Sequence, residues 1–496
     1  MGVDMVEFLQ DKNILVIGGT GFLGKVFTEK ILRVQCGVRH IFTLIRAADL
    51  QSAKTRLERE VFSSELFRPL SERYRGEYGR FIEQKLVPVV GDVTRDYLGI
   101  EEETREELFK KIDIIVNIAA TTSFYERYDV AMNVNTMGAA NVVRFGKKCP
   151  NLQILCHVST AYVNVGRIGI IEEEALRSGE RLSKSGGTTP SVGEVESECQ
   201  LITKLLQEIR SSSDLNSTHD RTERDRMKEF AEQRAKNFGW PNVYVFTKAM
   251  GEIMVDHLRG DIPTAIVRPT IIESTFSDPF PGWIEGQRMI DPLFIRYGKG
   301  QISKFPAADN LIVDVVPVDM VANGMISCLG KHASTPGLYI YHLASSVQNP
   351  LLYFTGVKAA YDYFKLHPFQ KKNSTKLVKI KKPQALHSME IFRRHMRLHY
   401  KIPLQMLHLA DFLVCGLTRK QYNLLLRRYK FVMKLADLYE PFIFFKGSFD
   451  NSNTRRLWAE LSEEEQEQFK FDVECINWTK YFCDVHIPGL LKYTDS

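Results

Sequence analysis

Residues 13–25 read Asn-Ile-Leu-Val-Ile-Gly-Gly-Thr-Gly-Phe-Leu-Gly-Lys, an apolar run that leads into glycines and then into a helix-compatible segment. Gly18 and Gly21 let the backbone turn tightly and approach a pyrophosphate, and Gly24 lets the helix pack close to the strand. The free N–H groups at the start of the helix face the negative charge. The stretch predicts a dinucleotide-phosphate site that opens a βαβ unit, although such turns also arise for packing alone.

The first half of the chain alternates between strand and helix patterns. Strands are predicted at 13–18, 40–45, 85–90, 112–118 and 152–158, and helices at about 22–34, 50–60, 102–110 and 128–147. The strands are apolar on both faces, as expected for a parallel sheet that helices cover on both sides. The pattern predicts an α/β fold with a Rossmann-like doubly wound parallel sheet, which resumes at 264–270 and near 338–343.

The remaining segments suggest two domains, 1–370 and 371–496. A polar stretch at about 175–238 interrupts the first of them and is interpreted as a helical insertion. A Lys-rich, Pro-containing linker at 371–383 leads to a helical C-terminal domain. Near its end, Ser462 is followed three residues later by Glu465, which predicts a capping box at a helix start.

Charge is distributed unevenly along the chain. The net charge is +6, from 66 basic and 60 acidic residues, but 16 Lys and Arg lie between Lys371 and Lys434 against Glu390 and Asp411 alone. This segment favours anionic partners such as phosphates, a CoA moiety, lipid headgroups or nucleic acid. An ordinary solvated face is the alternative interpretation.

The cysteines, the N-terminal residues and the apolar runs indicate the cellular compartment and whether a membrane span is expected. The eight cysteines are scattered without CxxC pairs or metal-ligand spacing, so we expect buried thiols in a reducing compartment and no metal site. Residues 1–12 contain no targeting pattern, and Val6 occupies a position where a myristoylation signal has Ser or Thr. With no apolar run of spanning length, we expect no signal peptide, transit peptide or transmembrane segment.

Tyr244 and Lys248 lie four residues apart in a helix-compatible segment, and thus on one helix face. Free tyrosine titrates near 10, and an adjacent cation favours the phenolate and lowers the pKa. Such a pair can pass a proton to a developing alkoxide. The spacing alone is a weak signal, because it arises by chance in many helices.

Two hydroxyl groups, those of Ser159 and Thr160, follow the strand predicted at 152–158. Ligands in open α/β sheets bind beyond the carboxyl ends of the strands. A hydroxyl group there can hydrogen-bond a substrate oxygen and hold it against Tyr244. The residues alone do not decide between Ser159 and Thr160.

The glycine turn, the strand-end hydroxyls and the Tyr/Lys pair, in this order, resemble the extended short-chain dehydrogenase/reductase superfamily. The resemblance implies that Tyr244 is the proton donor and that Lys248 lowers its pKa and binds the nicotinamide ribose. It implies further that Thr160, with Ser159 beside it, orients the carbonyl. Thr160 is favoured because it directly precedes Ala-Tyr-Val, the position that extended members use.

The second strand indicates the cofactor. It ends in Arg46, where NAD enzymes place an acidic residue that binds the ribose 2′-hydroxyl. Arginine binds a 2′-phosphate in a bidentate manner, so we predict NADPH, with a plain surface arginine as the alternative.

The resemblance implies further cofactor contacts. Asp92 would contact the adenine side, and the loop that begins at Asn117 would lie beneath the cofactor. The loop at Arg268 and Pro269 would lie near the nicotinamide. Asn135 would support the lysine through a water, or would pack as a helix amide. The full predicted set is Gly18, Thr20, Gly21, Phe22, Leu23, Gly24, Arg46, Asp92, Val93, Asn117, Ala119, Ala120, Asn135, Tyr244, Lys248, Arg268 and Pro269.

Within the superfamily, the chain resembles the fatty acyl-CoA reductases, with the plant alcohol-forming branch most similar. The motifs include Asn-Ile-Ala-Ala-Thr-Thr-Ser-Phe at 117–124, His-Val-Ser-Thr-Ala-Tyr-Val-Asn at 157–164, Tyr-Val-Phe-Thr-Lys-Ala-Met-Gly-Glu at 244–252, Ile-Val-Arg-Pro-Thr at 266–270, Pro-Gly-Trp at 281–283 and Val-Asp-Val-Val-Pro-Val-Asp at 313–319. The resemblance covers nearly the full length, except for the middle of the polar insertion.

This resemblance implies NADPH-dependent reduction of a long-chain or very-long-chain acyl-CoA to a primary alcohol through a bound aldehyde, in wax or lipid metabolism. It implies acyl-CoA and no nucleic acid as partner. The basic C-terminal domain could contact the cytosolic face of the endoplasmic reticulum peripherally, or the protein could be cytoplasmic. The sequence does not indicate an oligomeric state.

Three alternatives remain. An aldehyde-releasing acyl-CoA reductase would differ only in the second reduction. A sugar-nucleotide epimerase or dehydratase would share Thr160, Tyr244 and Lys248, but Arg46 and the basic helical domain argue against it. A non-enzymatic NADP-binding regulator commonly lacks the Tyr/Lys pair, which this chain retains.

Overall fold

The computed structural model describes residues 4–181, 187–211, 219–308, 310–370, 375–413 and 417–494. The chain forms two compact units. Unit 1 comprises Met1–Trp283, Val315–Asn349 and Gly447–Cys475, and unit 2 comprises Ile284–Asp314, Pro350–Lys446 and Ile476–Ser496. This division differs from the boundary expected at residue 370, because strand Gly447–Phe449 pairs with strand Gly169–Ile171 inside unit 1.

The structure describes thirteen strands. They are β1 Asn13–Ile17, β2 His40–Ile45, β3 Leu86–Val90, β4 Ile114–Asn117, β5 Ile154–Val158, β6 Gly169–Ile171, β7 Thr264–Pro269, β8 Ile271–Glu273, β9 Lys304–Pro306, β10 Val315–Pro317, β11 Leu338–Leu343, β12 Gln384–Leu386 and β13 Gly447–Phe449. Seven of them form one parallel sheet in the order β11-β7-β5-β4-β1-β2-β3. The predicted doubly wound parallel sheet is confirmed.

Helices account for most of the remaining structure. They are α1 Met5–Leu9, α2 Phe22–Val34, α3 Leu50–Leu57, α4 Arg68–Tyr74, α5 Tyr78–Lys85, α6 Glu102–Lys111, α7 Tyr128–Ala131, α8 Gly138–Gly146, α9 Val192–Ser211, α10 His219–Asn237, α11 Val243–Arg259, α12 Asp291–Gly298, α13 Val318–His332, α14 Tyr353–Leu366, α15 Met389–Met396, α16 Ile402–Leu413, α17 Arg419–Ile443, α18 Ser452–Ala459, α19 Glu463–Gln468, α20 Trp478–Lys480 and α21 Ile487–Tyr493. A π-helical stretch, Met132–Met137, joins α7 to α8.

The core of unit 1 lies on the faces of the central sheet. Every residue of β1 and β5 is buried, since helices cover both sides of these strands. Helix α11 packs against α8 and the π-helical stretch, and α13 packs against α2. The helices cover the faces of the sheet. Functional groups are therefore expected at the carboxyl ends of the strands and in the loops that follow them.

Unit 2 is mainly helical. Its core combines side chains from β9, α15 and the second half of α17, with Phe392 and Ala436 fully buried. In the polar insertion of unit 1, α9 and α10 are helical as predicted, whereas residues 182–186 and 212–218 lie outside the described part of the chain.

The seven sheet strands were predicted to within two residues at each end, and the capping box of Ser462 and Glu465 is present. Residues 65–85 were not predicted to be helical, yet they form two short 3₁₀ turns as well as α4 and α5. These helices are only seven or eight residues long, which leaves too few turns for a clear apolar period.

We predict that Gly24→Ala destabilises the protein. A Cβ at position 24 would lie 2.3 Å from the carbonyl oxygen of Gly18 and 2.8 Å from Cα of Gly19, and both are backbone atoms that cannot rotate away. We expect the free energy of unfolding to fall by about 2–3 kcal/mol, measured by denaturant unfolding.

The matched control is Gly79→Ala in α5, where an added Cβ meets no atom within 4 Å. Because alanine favours the helix, this change should be neutral or stabilise by up to about 1 kcal/mol. Equal unfolding midpoints for the two variants would contradict the close packing of α2.

Candidate functional site

The glycine turn after β1 fits tightly against the loop after β4. Gly18 has φ +90°, and a Cβ there would lie 2.7 Å from the backbone nitrogen of Ala119. Gly21 is exposed and begins α2 without a side-chain cap. Phe22, Leu23 and Gly24 are the first residues of α2, and the N-terminus of a helix attracts anions.

Side chains around this turn are fixed in different ways. The ring of Phe22 stacks on the buried Trp283, with ring centroids 5.5 Å apart. Thr20 is partly buried and Arg46, directly after β2, is exposed. The Asp92 carboxylate accepts hydrogen bonds from the Thr94 backbone N–H at 2.9 Å and from its hydroxyl group at 2.8 Å. Next to it, Val93 is buried.

Tyr244 and Thr160 come together, as the sequence predicted. Tyr244 lies in the first turn of α11, where the Asn242 side chain accepts a hydrogen bond from the Val245 N–H at 3.1 Å. The Thr160 hydroxyl group lies close enough to the phenol to oppose the rise that burial causes in the pKa of Tyr244. The Phe124 ring stacks on the Tyr244 ring at 5.9 Å between centroids.

The structure distinguishes the two strand-end hydroxyls. Thr160 Oγ1 donates to the carbonyl oxygen of Pro269 at 3.4 Å as well as contacting Tyr244. The buried Ser159 Oγ has no hydrogen-bond partner among the described residues. The preference for Thr160 thus agrees with the geometry, and Ser159 remains a neighbour.

Lys248 lies one helical turn after Tyr244 and is 1% exposed. Its Nζ donates to the carbonyl oxygen of Val158 at 2.6 Å. Burial lowers the pKa of Lys248 to about 8, and the nearby Glu252 carboxylate opposes this shift. At neutral pH the ammonium is therefore mostly charged.

The pKa of Tyr244 shifts in the direction opposite to the one expected from the sequence. Burial raises the pKa of Tyr244 to about 12, and the hydrogen bond with Thr160 only partly offsets this effect. Lys248 was expected to lower this pKa, but desolvation of the phenolate dominates. The phenol consequently holds its proton throughout the physiological pH range.

Asn117 and His157 form a buried pair at the ends of β4 and β5. Asn117 Nδ2 lies 3.1 Å from His157 Nδ1. Burial, and secondarily Lys248, hold the pKa of His157 well below its usual value, so the imidazole is neutral. Asn117 Oδ1 and His157 Nε2 have no hydrogen-bond partner in the described part of the chain.

His157 was not selected from the sequence, although its position two residues before Ser159 on a strand places both on one face of the sheet. Asn135 was expected to support the lysine through a water or to pack as an amide. Its Nδ2 donates to the Thr121 carbonyl oxygen at 3.1 Å and to Thr247 Oγ1 at 2.9 Å. It therefore joins the loop after β4 to α11.

The guanidinium of Arg268, in the loop that the resemblance places near the nicotinamide, is bonded within the protein. It is fully buried and pairs with Glu252 through Nε at 3.0 Å and Nη2 at 2.6 Å. Its Nη1 donates to the Glu174 carbonyl oxygen at 3.0 Å and lies 3.2 Å from His342 Nε2. Only the backbone of this segment, at Pro269, contacts Thr160.

Glu252 is a further residue that sequence reasoning missed. It follows Lys248 by four residues on α11, a spacing that places both on one helix face and was readable from the sequence.

All these groups belong to unit 1. The glycine turn that an added Cβ would fill fits a dinucleotide, as do the polar atoms of Asn117, His157 and Ser159, which are buried without a partner among the described residues. Within the ranges that the structure describes, none of the helices combines the length and apolar character needed to cross a bilayer.

Family models and relatives identify the family of the chain. The NAD-binding model of the male sterility proteins matches residues 16–325, and the Sterile model, also described as male sterility protein, matches residues 399–495. Probable fatty acyl-CoA reductase 5 of Arabidopsis thaliana is 42% identical over 501 residues, which cover 99% of each chain. Alcohol-forming fatty acyl-CoA reductase of Simmondsia chinensis is 37% identical over 494 residues, covering 99% of this chain and 98% of the relative.

Solved structures show the same fold at low identity. The terminal R domain of the myxalamid biosynthetic pathway superposes with a TM-score of 0.58 at 15% identity, covering 97% of this chain and 91% of that domain. The reductase domain of a non-ribosomal peptide synthetase from Mycobacterium tuberculosis gives a TM-score of 0.54 at 15% identity, covering 99% and 92%. From the family models and the full-length relatives, the chain belongs to the fatty acyl-CoA reductase family of male sterility proteins, with a nicotinamide-dinucleotide-binding domain.

Proposed function

We propose that this protein reduces long-chain or very-long-chain fatty acyl-CoA to a primary alcohol with NADPH, through a bound aldehyde. The observation that carries the proposal is the proximity of Tyr244, Thr160 and Lys248 at the carboxyl ends of the sheet strands, where Thr160 Oγ1 bonds the Pro269 carbonyl oxygen and Lys248 Nζ bonds that of Val158. Identity to the alcohol-forming reductase of Simmondsia chinensis over nearly the full length supports the choice of substrate and product.

Tyr244 and Thr160 are the groups that we assign to the substrate carbonyl. Tyr244 can donate a hydrogen bond to an oxygen on which negative charge develops, and Thr160 can do so when its hydroxyl proton turns away from the Pro269 carbonyl oxygen. Both bonds favour the transition state. Tyr244, with a pKa of about 12, is protonated at neutral pH and then transfers its proton to that oxygen. The cofactor, when bound, supplies the hydride.

The same pair can serve two successive reductions. In the first, the thioester carbonyl becomes a hemithioacetal, whose carbon–sulfur bond breaks to release CoA and leave an aldehyde. In the second, the aldehyde carbonyl meets the same two donors, and the product is a primary alcohol. Because both steps protonate a carbonyl oxygen, no cysteine nucleophile is required.

Lys248 and the glycine turn are assigned to cofactor binding. The Lys248 ammonium lies next to Tyr244 on α11 and is suited to the hydroxyl groups of the nicotinamide ribose. The α2 N-terminus, with the turn from Gly18 to Gly24, is suited to the pyrophosphate. We assign Asp92, Val93, Asn117, Ala119 and Ala120 to the cofactor-facing loops.

Arg46 carries the proposal of NADPH over NADH. It is exposed directly after β2, where its guanidinium can pair with a 2′-phosphate.

We also propose peripheral membrane contact through the basic part of unit 2, at the cytosolic face of the endoplasmic reticulum. The charge of segment 371–434 supports this proposal, because long-chain acyl-CoA partitions into membranes whose anionic lipids attract cations.

The first test is product analysis. We expect purified protein to convert long-chain acyl-CoA to primary alcohol with oxidation of two NADPH per acyl group, followed by absorbance and mass spectrometry. Tyr244→Phe should lower kcat by about 10²–10⁴-fold because the proton donor is lost. Tyr97→Phe, a change at a 44% exposed tyrosine, is the matched control and should retain activity. Aldehyde as the end product would assign the protein to the aldehyde-releasing class.

The second test concerns the cofactor. Arg46→Asp should raise the KM for NADPH by at least about tenfold, because a carboxylate repels the 2′-phosphate, while the KM for NADH should change less. Arg39→Asp provides the control, since Arg39 is exposed before β2 at the opposite end of the strand. An unchanged preference in Arg46→Asp would refute the role of this arginine.

The third test uses pH. The lowered pKa of Lys248, about 8, predicts that kcat/KM declines above this pH as the ammonium loses its charge. Glu252 favours the charged form, so Glu252→Gln should move the alkaline limb to lower pH. Asp256→Asn makes the same chemical change one turn further along α11, at a 43% exposed carboxylate, and should leave the limb in place. Identical limbs in both variants would contradict the coupling.

A further inference from the structure

We infer that the exposed apolar face of α16, together with the basic side chains that flank it, docks the protein in the headgroup region of an anionic phospholipid membrane. The inference deepens the proposed function, since it rests on the proposed membrane contact and assigns that contact to particular residues of unit 2.

Helix α16 is apolar around most of its circumference and yet exposed. Its sequence, Ile-Pro-Leu-Gln-Met-Leu-His-Leu-Ala-Asp-Phe-Leu, contains only three polar residues. Met406 is 66% exposed, Leu409 is 67% exposed and Ile402 is 39% exposed, and their spacing of four and three places them on one face. An all-apolar helix is normally covered by a protein core or by a membrane.

Two of the three polar side chains of α16, those of His408 and Asp411, make contacts within unit 2, whereas Gln405 is exposed. The buried Asp411 carboxylate accepts from the Thr418 N–H and hydroxyl group, both at 2.9 Å, and pairs with Arg419 at 3.1 Å. The His408 ring stacks on Tyr422 of α17 with centroids 4.8 Å apart. These contacts fix the polar side toward α17 and leave the apolar side to the exterior.

Further exposed apolar side chains lie before and after α16 in the sequence. They are Ile391, Leu398, Tyr400, Leu417 and Leu424. Such a concentration exceeds the single exposed hydrophobic residues that are normal on a protein surface.

The basic side chains on both sides of α16 indicate an anionic partner. The flanking side chains include the exposed Arg394, Arg397 and Lys401 before α16 and the exposed Lys420, Arg427, Arg428 and Lys430 after it. Asp411 is the one acidic residue in the sequence from Ile391 to Lys434. Apolar side chains bordered by cations match the acyl boundary and headgroups of an anionic leaflet.

The length of α16 indicates that the helix lies in the plane of the membrane rather than across it. The 12 residues of α16 span about 18 Å, whereas a transmembrane helix needs about 20 apolar residues. The helix is therefore suited to lie at the interface with its apolar face inserted.

The test is flotation of the full chain with vesicles of phosphatidylcholine containing roughly 30% phosphatidylserine, beside vesicles of phosphatidylcholine alone. We expect binding to the anionic vesicles that weakens at about 500 mM salt relative to about 50 mM. Met406→Glu/Leu409→Glu should lower the fraction bound by at least about tenfold, because two charges replace the inserted side chains. Arg394→Gln/Arg397→Gln/Lys401→Gln should also weaken binding and reduce its salt dependence.

Leu366→Glu/Leu377→Glu is the matched control, with the same charge change at side chains that are 76% and 56% exposed in unit 2. It should bind as the unmodified protein does. Equal binding by the α16 variant and this control, or no binding of the unmodified protein, would overturn the inference. So would a dimer in vesicle-free buffer that the α16 variant abolishes, since a second copy would then cover the face.

Activity measured without vesicles, with a short-chain acyl-CoA that stays in solution, separates the two proposals. Retained activity in an α16 variant that no longer floats supports the membrane surface and the reductase together. Vesicle binding by a protein without reductase activity would support the surface and reject the proposed function.

Discussion

The site depends on how closely helix α2 approaches the strand and turn before it. A side-chain carbon at Gly24 would lie 2.3 Å from the Gly18 carbonyl oxygen. Helix α2 can therefore approach the turn this closely only because residue 24 has no side chain. The same turn lies against the Ala119 backbone, which fixes the loop after β4. Register then aligns the other strand ends: Ile17 pairs with Asn117, and Asn117 pairs with His157. Three strand ends thus meet beside one helix N-terminus.

Lys248, the cation of the Tyr/Lys pair, is buried away from water. Lys248 is compensated in part by the Val158 carbonyl oxygen and by Glu252, while the adjacent His157 is neutral. Glu252 is itself held by the fully buried Arg268. An isolated buried charge is costly, and a paired, hydrogen-bonded one is tolerated. The Arg268–Glu252 pair therefore has a structural task that precedes any role toward a ligand.

The sequence predicted what depends on local pattern. The seven sheet strands and the meeting of Thr160 with Tyr244 followed from apolar periodicity and from motif order along the chain. The direction of the Arg268 side chain could not be read in this way, because its partner Glu252 lies on another element. The same holds for the return of residues 447–475 to unit 1 through the pairing of β13 with β6. The pKa of Tyr244 was misjudged because the spacing of Tyr244 and Lys248 reveals their proximity but not how strongly the phenol is desolvated.

The shifts that burial causes in the pKa values of Tyr244 and Lys248 suit a reductive direction better than a lowered pKa of Tyr244 would. A proton donor must hold its proton until charge develops on the acceptor oxygen, and Tyr244 with a pKa of about 12 does so at every physiological pH. A phenol with a strongly lowered pKa would be partly ionised and would present a negative charge to the oxyanion. Lys248, with a pKa of about 8, is instead the member of the pair whose charge changes near the working pH. In the proposed reaction the pair thus separates its tasks: Tyr244 carries the proton, and Lys248 supplies the positive charge that makes its transfer favourable.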